Sequence, residues 1–453
     1  MEKNEHILSS RRFLPMFLTQ FFGALNDNVF KQSLLLIFTY GLIQVHFASD
    51  STLNNVAAML FILPYFIFSA TAGQLADKYE RSGLVRWIKV LEIVVMLIAT
   101  VGYMLGNLWI LMSALFLMGT HSTFFGPIKY AILPDILKSN ELVSGNALFQ
   151  SGTSIAILIG MILGGAVISM SEGNLVWISL TVLSIATLGY ISSLFILKQP
   201  QPTQQIDIDW NFFRTSFQTL KYAKSLPLVF LILLGNSWYW FYGATYLTQI
   251  PLLAKHHLHG SENVVSLLLT FFSVGIGVGS LLCRKIGGSQ VSLKMVPYGA
   301  IGLTVFAFYL VASMAYLPAA SSTELLGVMD MFQSGAAYYH VMLAVILLGI
   351  SGGFYIVPLY TMMQAYAPKS HRARVVAANN ILNAIFMVTS AIFSIIILSI
   401  LKIDLKILFC ITAVLSAVFT IVLLRKLKVK LAHHQNTLTH QTLEDQSCDN
   451  TQV

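Results

Sequence analysis

Charged residues are scarce in this sequence. Asp, Glu, Lys and Arg make up 10% of its 453 residues, whereas a soluble domain carries about 25%. Hydrophobic residues make up 56%, and the mean hydropathy is +0.74. This composition excludes an ordinary soluble domain and predicts an all-α membrane protein that crosses the bilayer many times.

Cysteines and nucleotide-binding motifs are also scarce. The three cysteines, Cys283, Cys410 and Cys448, form no CxxC pattern, so neither a disulfide framework nor a cysteine metal site is predicted. The sequence has no G-x-x-x-x-G-K-[ST] phosphate loop, so direct hydrolysis of nucleoside triphosphates is not expected. We therefore predict a protein that is not an enzyme, uses no cofactor or metal, and binds no nucleic acid.

The first apolar stretch, FLTQFFGALNDNVFKQSLLLIFTY (17–40), has a polar middle that contains Asn26, Asp27, Asn28 and Lys31. A carboxylate in hydrocarbon costs about 2.5–3.5 kcal/mol on insertion scales, so residues of this kind indicate function. Asp27 and Lys31 are spaced i,i+4 and can pair on one helix face. The alternative is an internal ion pair that only neutralises itself.

Twelve stretches are long and apolar enough to cross a bilayer. They lie near residues 13–44, 54–76, 86–105, 108–128, 150–170, 174–197, 228–254, 264–283, 296–317, 338–362, 375–400 and 405–425. Between the sixth and seventh, the stretch DWNFFRTSFQTLKYAKSL (209–226) has the spacing of an amphipathic helix that lies on the membrane surface. The predicted divisions are an N-terminal six-helix bundle (1–197), a cytoplasmic linker with this helix (198–227), a C-terminal six-helix bundle (228–425) and a disordered cytoplasmic tail (426–453).

The distribution of basic residues predicts the orientation. With the N-terminus in the cytoplasm, 23 of the 27 Lys and Arg residues fall in cytoplasmic segments or at span ends. Because cytoplasmic loops carry an excess of Lys and Arg, we expect both termini to be cytoplasmic.

The two halves of the sequence repeat. GTHSTFFGPIKY (119–130) aligns with GISGGFYIVPLY (349–360) at an offset of 230, and GQLADK (73–78) aligns with GSLLCR (279–284) at an offset of 206. The two offsets differ by 24 residues, so the second half must contain an insertion of that length. We place it in the polar loop 318–337, which we expect to be external. Two parallel six-helix repeats are the layout of major facilitator transporters, which bind substrate between the halves near the midplane.

The stretch GQLADKYER (73–81) resembles the loop signature of that superfamily, Gly-x-Leu-Ala-Asp-basic-x-Gly-Arg, except that Glu80 replaces the second glycine. Glycine allows helices to pack closely, and Asp77 can bind the N-terminus of a facing helix. The alternative is a plain polar turn. The predicted gating residues are Gly73, Asp77, Lys78, Arg81, Arg372 and Arg374.

Charged residues inside the predicted spans belong to the first half, so one cavity wall is expected to be polar and the other apolar. This asymmetry favours a single-chain amphipath whose headgroup meets the polar wall. The predicted substrate-binding residues are Asn26, Asp27, Asn28, Lys31, Glu92, His121, Asn236, Trp238, Trp240, Asn380 and Asn383. Some of these predictions have an alternative. Glu92 can form a pair with Lys89 that snorkels to the membrane surface, and His121 can be a core histidine with satisfied hydrogen bonds. The two tryptophans can be ordinary packing residues.

Several longer motifs resemble bacterial lysophospholipid transporters and the similar transporter domain that is fused to 2-acylglycerophosphoethanolamine acyltransferase and acyl-carrier-protein synthetase. They are QFFGALNDNVFK, FGPIKYAILPDILKSNELVSGNAL, SWYWFYGATYLTQIP and GGFYIVPLY followed by RARVVAANNILNAIFMV, and the resemblance covers roughly residues 20–400. One departure concerns the seventh span, where a basic residue of the family can face the aspartate of the first span; here Asn236 and its neighbours are uncharged.

The resemblance implies inward flipping of lysophosphatidylethanolamine and lysophosphatidylglycerol across the bacterial inner membrane. Reacylation by a separate acyltransferase on the cytoplasmic side would follow, and membrane lipids would surround the protein. Two other classes stay open. One is a proton-coupled major facilitator importer or exporter of another amphipathic solute, such as a drug or siderophore. The other is a membrane scaffold or receptor that transports nothing.

Overall fold

The computed structural model describes residues 7–39, 50–170, 174–200, 207–288, 291–318 and 325–449. These residues are almost entirely helical, and within them one isolated bridge, between Gly260 and Leu326, is the only strand-like pairing. The all-α prediction is therefore confirmed.

Fifteen α-helices follow one another along the described chain. They are α1 (Leu14–Thr39), α2 (Asp50–Lys78), α3 (Arg81–Leu105), α4 (Leu108–Ala131), α5 (Leu133–Ile136), α6 (Leu142–Met170), α7 (Val176–Leu194), α8 (Phe212–Lys224), α9 (Pro227–His256), α10 (Glu262–Gly287), α11 (Val296–Ala315), α12 (Val328–Gln333), α13 (Ala336–Tyr366), α14 (Arg372–Ile395) and α15 (Leu405–Asp449).

Each predicted span corresponds to one long helix, but fewer than twelve helices have the composition of a membrane span. Within the described residues, ten helices are long and apolar enough to cross a membrane, and eleven if α8 and α9 count as one bent span. Helix α1 is not among them, because the polar residues in its middle lower its hydropathy. Residues 40–44 of the predicted first span lie outside the described part of the chain.

The two halves pack their helices in the same way. Gly119 of α4 lies so close to α2 that an added Cβ would collide with the carbonyl oxygen of Phe61. Gly349 of α13 has the same relation to Phe272 of α10. Glycine permits this close approach of two backbones. The equal contacts confirm the offset of 230 between residues 119 and 349.

The same contacts correct the second alignment. Residues 61 and 272 are 211 positions apart, so the equivalent of Gly73 is Arg284 and not Gly279. The offset of 206 is therefore wrong by five residues, because two short apolar segments can be aligned in several registers. The insertion inside the second repeat becomes 19 residues long instead of 24. Part of its predicted location, 319–324, lies outside the described residues.

Contacts between the halves join α6 to α10, α2 to α14 and α4 to α14. Helix α2 ends at Lys78, α4 ends at Ala131 and α14 begins at Arg372, all at one end of the molecule. We call this end the closed end, because side chains of both halves meet there.

The linker contains the predicted amphipathic helix. Helix α8 makes an angle of 114° with α9, and its start is capped by Asn211, whose side chain accepts a hydrogen bond from the backbone of Arg214. Phe213 and Phe217 are exposed, whereas Thr215 and its neighbours on the opposite face are buried. Residues 201–206 of the linker lie outside the described chain.

The tail that was predicted to be disordered, 426–453, overlaps the last part of helix α15. Helix α15 continues past Lys430 to Asp449. The polar sequence after residue 430 contains neither proline nor glycine, so nothing in it ends a helix that a membrane span has already started.

Candidate functional site

Asp77 connects the two halves at the closed end. Its two carboxylate oxygens accept hydrogen bonds from the backbone N–H groups of Ala373 and Arg374, each at 3.0 Å. These groups belong to the first turn of α14, where the helix dipole favours an anion. The side chain of Asp77 is 1% exposed. The predicted contact between this aspartate and a facing helix N-terminus is therefore present.

Gly73 allows that contact to form. A Cβ at this position would lie 2.7 Å from the Cβ of Ala377 and 3.1 Å from the carbonyl oxygen of Ala373. Both atoms belong to α14, so the absence of a side chain lets α2 approach α14 closely.

Glu80, the departure from the family signature, caps α3. Its carboxylate accepts hydrogen bonds from the backbone N–H groups of Ser82 (2.9 Å), Gly83 (2.7 Å) and Gln199 (2.9 Å). Partial burial raises the pKa of this carboxyl, but the hydrogen bonds outweigh burial and hold the pKa below its ordinary value. The substitution of glycine by glutamate thus replaces a flexible turn with a cap that also holds the start of the linker.

Asp135 is a central residue of the closed end that the sequence analysis missed. It lies on α5 and forms ion pairs with Arg81 and, at 2.9 Å, with Arg372. Arg81 belongs to the N-terminal half and Arg372 begins α14, so Asp135 links the halves beside Asp77. The available sequence signal is the acidic residue in LPDIL (133–137), directly after the fourth span.

Two predicted gating residues have other contacts. The Nζ of Lys78 lies 5.8 Å from the ring centroid of Tyr79, and the guanidinium of Arg374 lies 5.4 Å from that of Tyr222. Lys78 therefore faces its neighbour in sequence, and Arg374 meets the linker helix α8. Arg374 donates its backbone N–H to Asp77, and its side-chain charge acts on that carboxylate from a greater distance.

We expect Asp77→Asn to weaken the closed end, because an amide loses the charge that interacts with the helix dipole. Such an interaction is worth about 0.3–1 kcal/mol, and up to about 2 kcal/mol when partly buried. Maleimide labelling of a single cysteine at Ala377, in a variant without the native cysteines, should therefore become faster, and transport slower. Asp207→Asn, which removes an exposed linker carboxylate, is the control. Unchanged labelling and unchanged rate would contradict this role.

A layer of aromatic and amide groups lies next to the charged contacts. Tyr130 of α4 stacks on Tyr360 of α13, with centroids 4.8 Å apart. Gln364 accepts a hydrogen bond from Asn146 at 2.6 Å and donates one to the carbonyl oxygen of Tyr130 at 3.1 Å. Each of these contacts crosses from one half to the other.

The charged wall belongs to the N-terminal half. Ser122 of α4 donates a hydrogen bond to Asp27 Oδ2 at 2.7 Å, and the Nζ of Lys31 lies 4.4 Å above the ring of Phe61. Asp27 and Lys31 are both partly exposed, and among the described residues they form no direct ion pair. The expected i,i+4 pair is thus replaced by two tertiary contacts, because α4 and α2 supply competing partners.

Lys129 also belongs to this wall and was missed. It lies on α4 close enough to Asp27 for their charges to interact, and its Nζ lies 5.1 Å from the ring centroid of Tyr130. The predicted fourth span ended at residue 128, whereas α4 continues to Ala131. An error of a few residues in the boundary therefore removed a cation from the predicted cavity.

Glu92, His121 and Asn26 form a buried cluster with Lys89. Glu92 accepts hydrogen bonds from Asn26 at 2.8 Å and from Lys89 at 2.6 Å, and the Nε2 of His121 lies 3.3 Å from its Oε2. All four side chains are buried. The alternative to substrate binding for Glu92 was a snorkelling pair with Lys89, but both side chains are 0% exposed, so the pair is internal.

Asn28 lies apart from the charged wall. It donates a hydrogen bond to the carbonyl oxygen of Ala24 on its own helix, and its Cβ would lie 2.7 Å from a Cβ added to Gly160 of α6. Its contacts are those of a packing residue between α1 and α6.

The opposite wall is uncharged but not apolar, which corrects the expectation. Asn236 of α9 donates a hydrogen bond to Asn379 at 3.1 Å. With the Asn383 amide turned so that both of its ends are satisfied, its nitrogen donates to Ser237 Oγ at 2.9 Å and its oxygen accepts from Trp240 Nε1 at 3.1 Å. Neutral amides give no charge signal in a sequence, so this wall was taken for an apolar one.

The two predicted tryptophans have different positions. Trp240 is 38% exposed, and its Nε1 lies 3.4 Å from the hydroxyl of Tyr360. Trp238 stacks on Phe419 of α15 at 4.3 Å and donates a hydrogen bond to Ser416, so it packs inside the C-terminal half. Asn380 lies between the halves, because a Cβ on Gly126 would be 2.9 Å from its Nδ2.

Comparison with known proteins shows what this chain is similar to. The family model described as Major Facilitator Superfamily matches residues 16–336 and 246–444. Two relatives are the lysophospholipid transporters LplT of Pectobacterium carotovorum subsp. carotovorum (strain PC1) and Cronobacter sakazakii (strain ATCC BAA-894). The first is 27% identical, over 79% of this chain and 79% of the relative, and the second is 26% identical, over 80% and 82%.

Two solved structures share the fold. One is a bacterial homologue of the iron transporter ferroportin in an outward-facing state, with a TM-score of 0.66, 15% identity, and coverage of 93% of this chain and 99% of that one. The other is a variant of the fucose:proton symporter FucP of E. coli, with a TM-score of 0.67, 12% identity, and coverage of 91% and 98%.

Proposed function

Because this chain belongs to the Major Facilitator Superfamily, we propose that it is a multi-pass transporter that moves lysophospholipids across the bacterial inner membrane. Relatives named as lysophospholipid transporters support this substrate class. The protein acts as a transporter and not as an enzyme, with all twelve long helices, α1 included, as spans and with both termini in the cytoplasm.

The observation that carries the proposal is the difference between the two walls. Asp27, Lys31 and Lys129 place charges of both signs on the N-terminal wall, whereas the C-terminal wall offers amides and aromatic rings such as Trp240. A lysophospholipid has a charged headgroup at one end and a single acyl chain at the other. The headgroup meets the charged wall, and burial of the chain contributes about 0.8 kcal/mol per CH₂.

The direction is inward, and the substrates are lysophosphatidylethanolamine and lysophosphatidylglycerol. Both carry a phosphate that a lysine can bind, and the first also carries an ammonium group that Asp27 can bind. The product at the cytoplasmic side is a lysophospholipid whose glycerol backbone carries one free hydroxyl, so a separate acyltransferase would complete its repair.

A second candidate is a proton-coupled transporter of another amphipathic solute, such as a drug or siderophore. The titratable groups near Asp27 favour it as the alternative. A scaffold or receptor that transports nothing would not need the gate contacts of Asp77 and Asp135, which argues against that class.

The proposed function is tested by uptake of labelled lysophospholipid into spheroplasts with and without this protein. We expect uptake to exceed that of spheroplasts that lack the protein, for both lipids. A parallel measurement with an uncoupler gives the part that depends on the proton gradient. Uptake equal to the control for both lipids would contradict the function.

The proposed orientation predicts where a cysteine can be labelled in intact cells. In a cysteine-free background, a cysteine at Ser334, in the loop after α12, should react with an impermeant maleimide. A cysteine at Ser225, between α8 and α9, should react only after lysis. Both serines are exposed, so accessibility to solvent does not distinguish them. The reverse pattern would contradict the orientation.

A further inference from the structure

The linker helix α8 presents aromatic and basic side chains on its outward face. Phe213 and Phe217 are 73% and 70% exposed, and Trp210, directly before the helix, is 63% exposed. Lys221 and Lys224 follow in the last turn and are also exposed. The four helical residues are three or four positions apart, so they lie on one face of the helix. We call these five residues the outer stripe.

The charges on α8 are all positive. The helix contains Arg214, Lys221 and Lys224, and its sequence has neither Asp nor Glu. Asp209 pairs with Arg214 at 3.6 Å, but the side chain of Arg214 is 69% exposed, so water screens this pair. The helix dipole accounts for the two lysines in the last turn. It does not account for the exposed aromatic rings beside them, which indicate an interaction surface.

A bilayer surface with anionic headgroups fits this combination of side chains. Helix α8 makes an angle of 114° with α9, so it runs roughly along the membrane plane if α9 crosses the membrane. In that position aromatic rings enter the boundary between headgroups and acyl chains, and basic residues attract anionic lipids. An acidic protein would attract the lysines too, but the outer stripe lies next to the start of a proposed span, where lipid is constantly present.

The opposite face of α8 touches both halves at the closed end. Phe212 packs edge-on against Phe68 of α2, with ring centroids 4.9 Å apart. The ring of Tyr222 lies 5.1 Å from that of His371 and 5.4 Å from the guanidinium of Arg374, at the start of α14. Because α2 and α14 belong to different halves, opening of the closed end requires α8 to give up one of these two sets of contacts.

We propose that the outer stripe binds anionic phospholipid headgroups of the surrounding bilayer and that this binding stabilises the closed end. In the closed arrangement, contacts with both halves fix α8 and the direction of its stripe. A surface that is ordered before binding loses less conformational entropy on binding, so anionic lipid binds the closed form more tightly. By linkage, the lipid then shifts the equilibrium toward that form. Each Lys or Arg near an anionic surface strengthens binding roughly fivefold.

The experiment compares the purified full-length protein in nanodiscs of phosphatidylcholine alone and of phosphatidylcholine with an equal amount of phosphatidylglycerol. Maleimide labelling of a single cysteine at Ala377 reports opening of the closed end. We expect labelling to be at least about fivefold slower with the anionic lipid, the low end of typical couplings between linked sites. Lys221→Gln with Lys224→Gln should remove most of this difference. Lys426→Gln with Lys428→Gln, at two exposed cations of α15, is the matched control and should retain it.

A second measurement locates the bound lipid. Phosphatidylglycerol with a photoreactive headgroup should cross-link to the peptide that contains α8, and unlabelled phosphatidylglycerol should compete better than phosphatidylcholine. Phe213→Ser with Phe217→Ser should weaken the cross-links, although every charge remains.

Neither measurement uses lysophospholipid, so their outcome is independent of the proposed function. Cross-links on α8 with equal labelling of the cysteine in both nanodiscs would overturn the effect on the closed end. Equal labelling without cross-links on α8 would overturn the whole proposal and assign the outer stripe to a protein partner.

Discussion

Asp135→Asn should open the closed end more than any other single substitution at that end. The carboxylate lies between the guanidinium groups of Arg81 and Arg372, whose side chains are 11% and 7% exposed. An amide at this position leaves Arg372 facing Arg81 across the halves, with the longer 3.7 Å ion pair between Arg81 and Asp77 as the remaining compensation. Removal of one partner from a buried ion pair costs about 3–5 kcal/mol.

Asp135 itself is 28% exposed, so solvent screening reduces that cost, and we expect about 1–3 kcal/mol. This corresponds to a shift of roughly 5- to 150-fold in the equilibrium between closed and open forms. A single cysteine at Ala377, 0% exposed beneath Gly73, should react correspondingly faster with maleimide. The matched control is Asp209→Asn, which removes the acid of an ion pair with the 69% exposed Arg214.

The double variant Asp135→Asn, Arg372→Gln distinguishes repulsion from misfolding. Removal of the cation from the C-terminal half relieves the repulsion, so labelling should return part of the way toward that of the unaltered protein. Labelling in Asp135→Asn equal to that in the control would show that the ion pairs do not hold the halves together.

Asp27→Asn should reduce transport of lysophosphatidylethanolamine by about tenfold, or about 1.4 kcal/mol, and change transport of lysophosphatidylglycerol much less. Asp27 Oδ1 has no hydrogen-bond partner within the described residues, although Oδ2 is held by Ser122. Oδ1 is buried in the closed arrangement, so it can accept the ammonium group of the first lipid once the side chains around it move on entry of the substrate. The second lipid has no ammonium group, so it loses little when the charge is removed.

Lys31→Gln should reduce transport of both lipids, because both contain phosphate. Lys31 holds a cation–π contact with Phe61 and, among the described residues, no ion pair, and a contact of this kind is worth only about 0.5–2 kcal/mol. The ammonium group is therefore available to an anion that enters the cavity. Paired uptake of the two lipids, at matched expression, measures both effects, and Asp330→Asn on the exposed α12 controls for loss of a carboxylate elsewhere. An equal loss for both lipids in Asp27→Asn would assign that residue to gating.

Local patterns in the sequence were sufficient to predict the long helices and the contact of Asp77 with a helix N-terminus. The helical spans depend on hydropathy, and the contact of Asp77 depends on a short signature and on the dipole at a helix start. The positions of the long helices and the close approach at Gly73 could therefore be predicted. The offset of the second repeat could not, because short apolar segments match in several registers.

Contacts that depend on distant parts of the chain could not be predicted. Asp135 meets residues 54 and 237 positions away, so its role exists only after α3, α5 and α14 have packed. The spacing of Asp27 and Lys31 indicated a pair, yet Ser122 is 95 positions from Asp27 and takes its place. The amides of the C-terminal wall carry no charge, and hydropathy does not distinguish a cavity amide from one buried in packing.

The glycine contacts at Phe61 and Phe272 have a consequence for how substitutions act. In both halves, a backbone rests directly on another backbone, with no side chain between them whose rotation could permit sliding. Each half is therefore expected to move as one solid piece during transport. Substitutions inside a half should change how much folded protein a cell accumulates, whereas substitutions between the halves should change how many lipids each molecule carries per second.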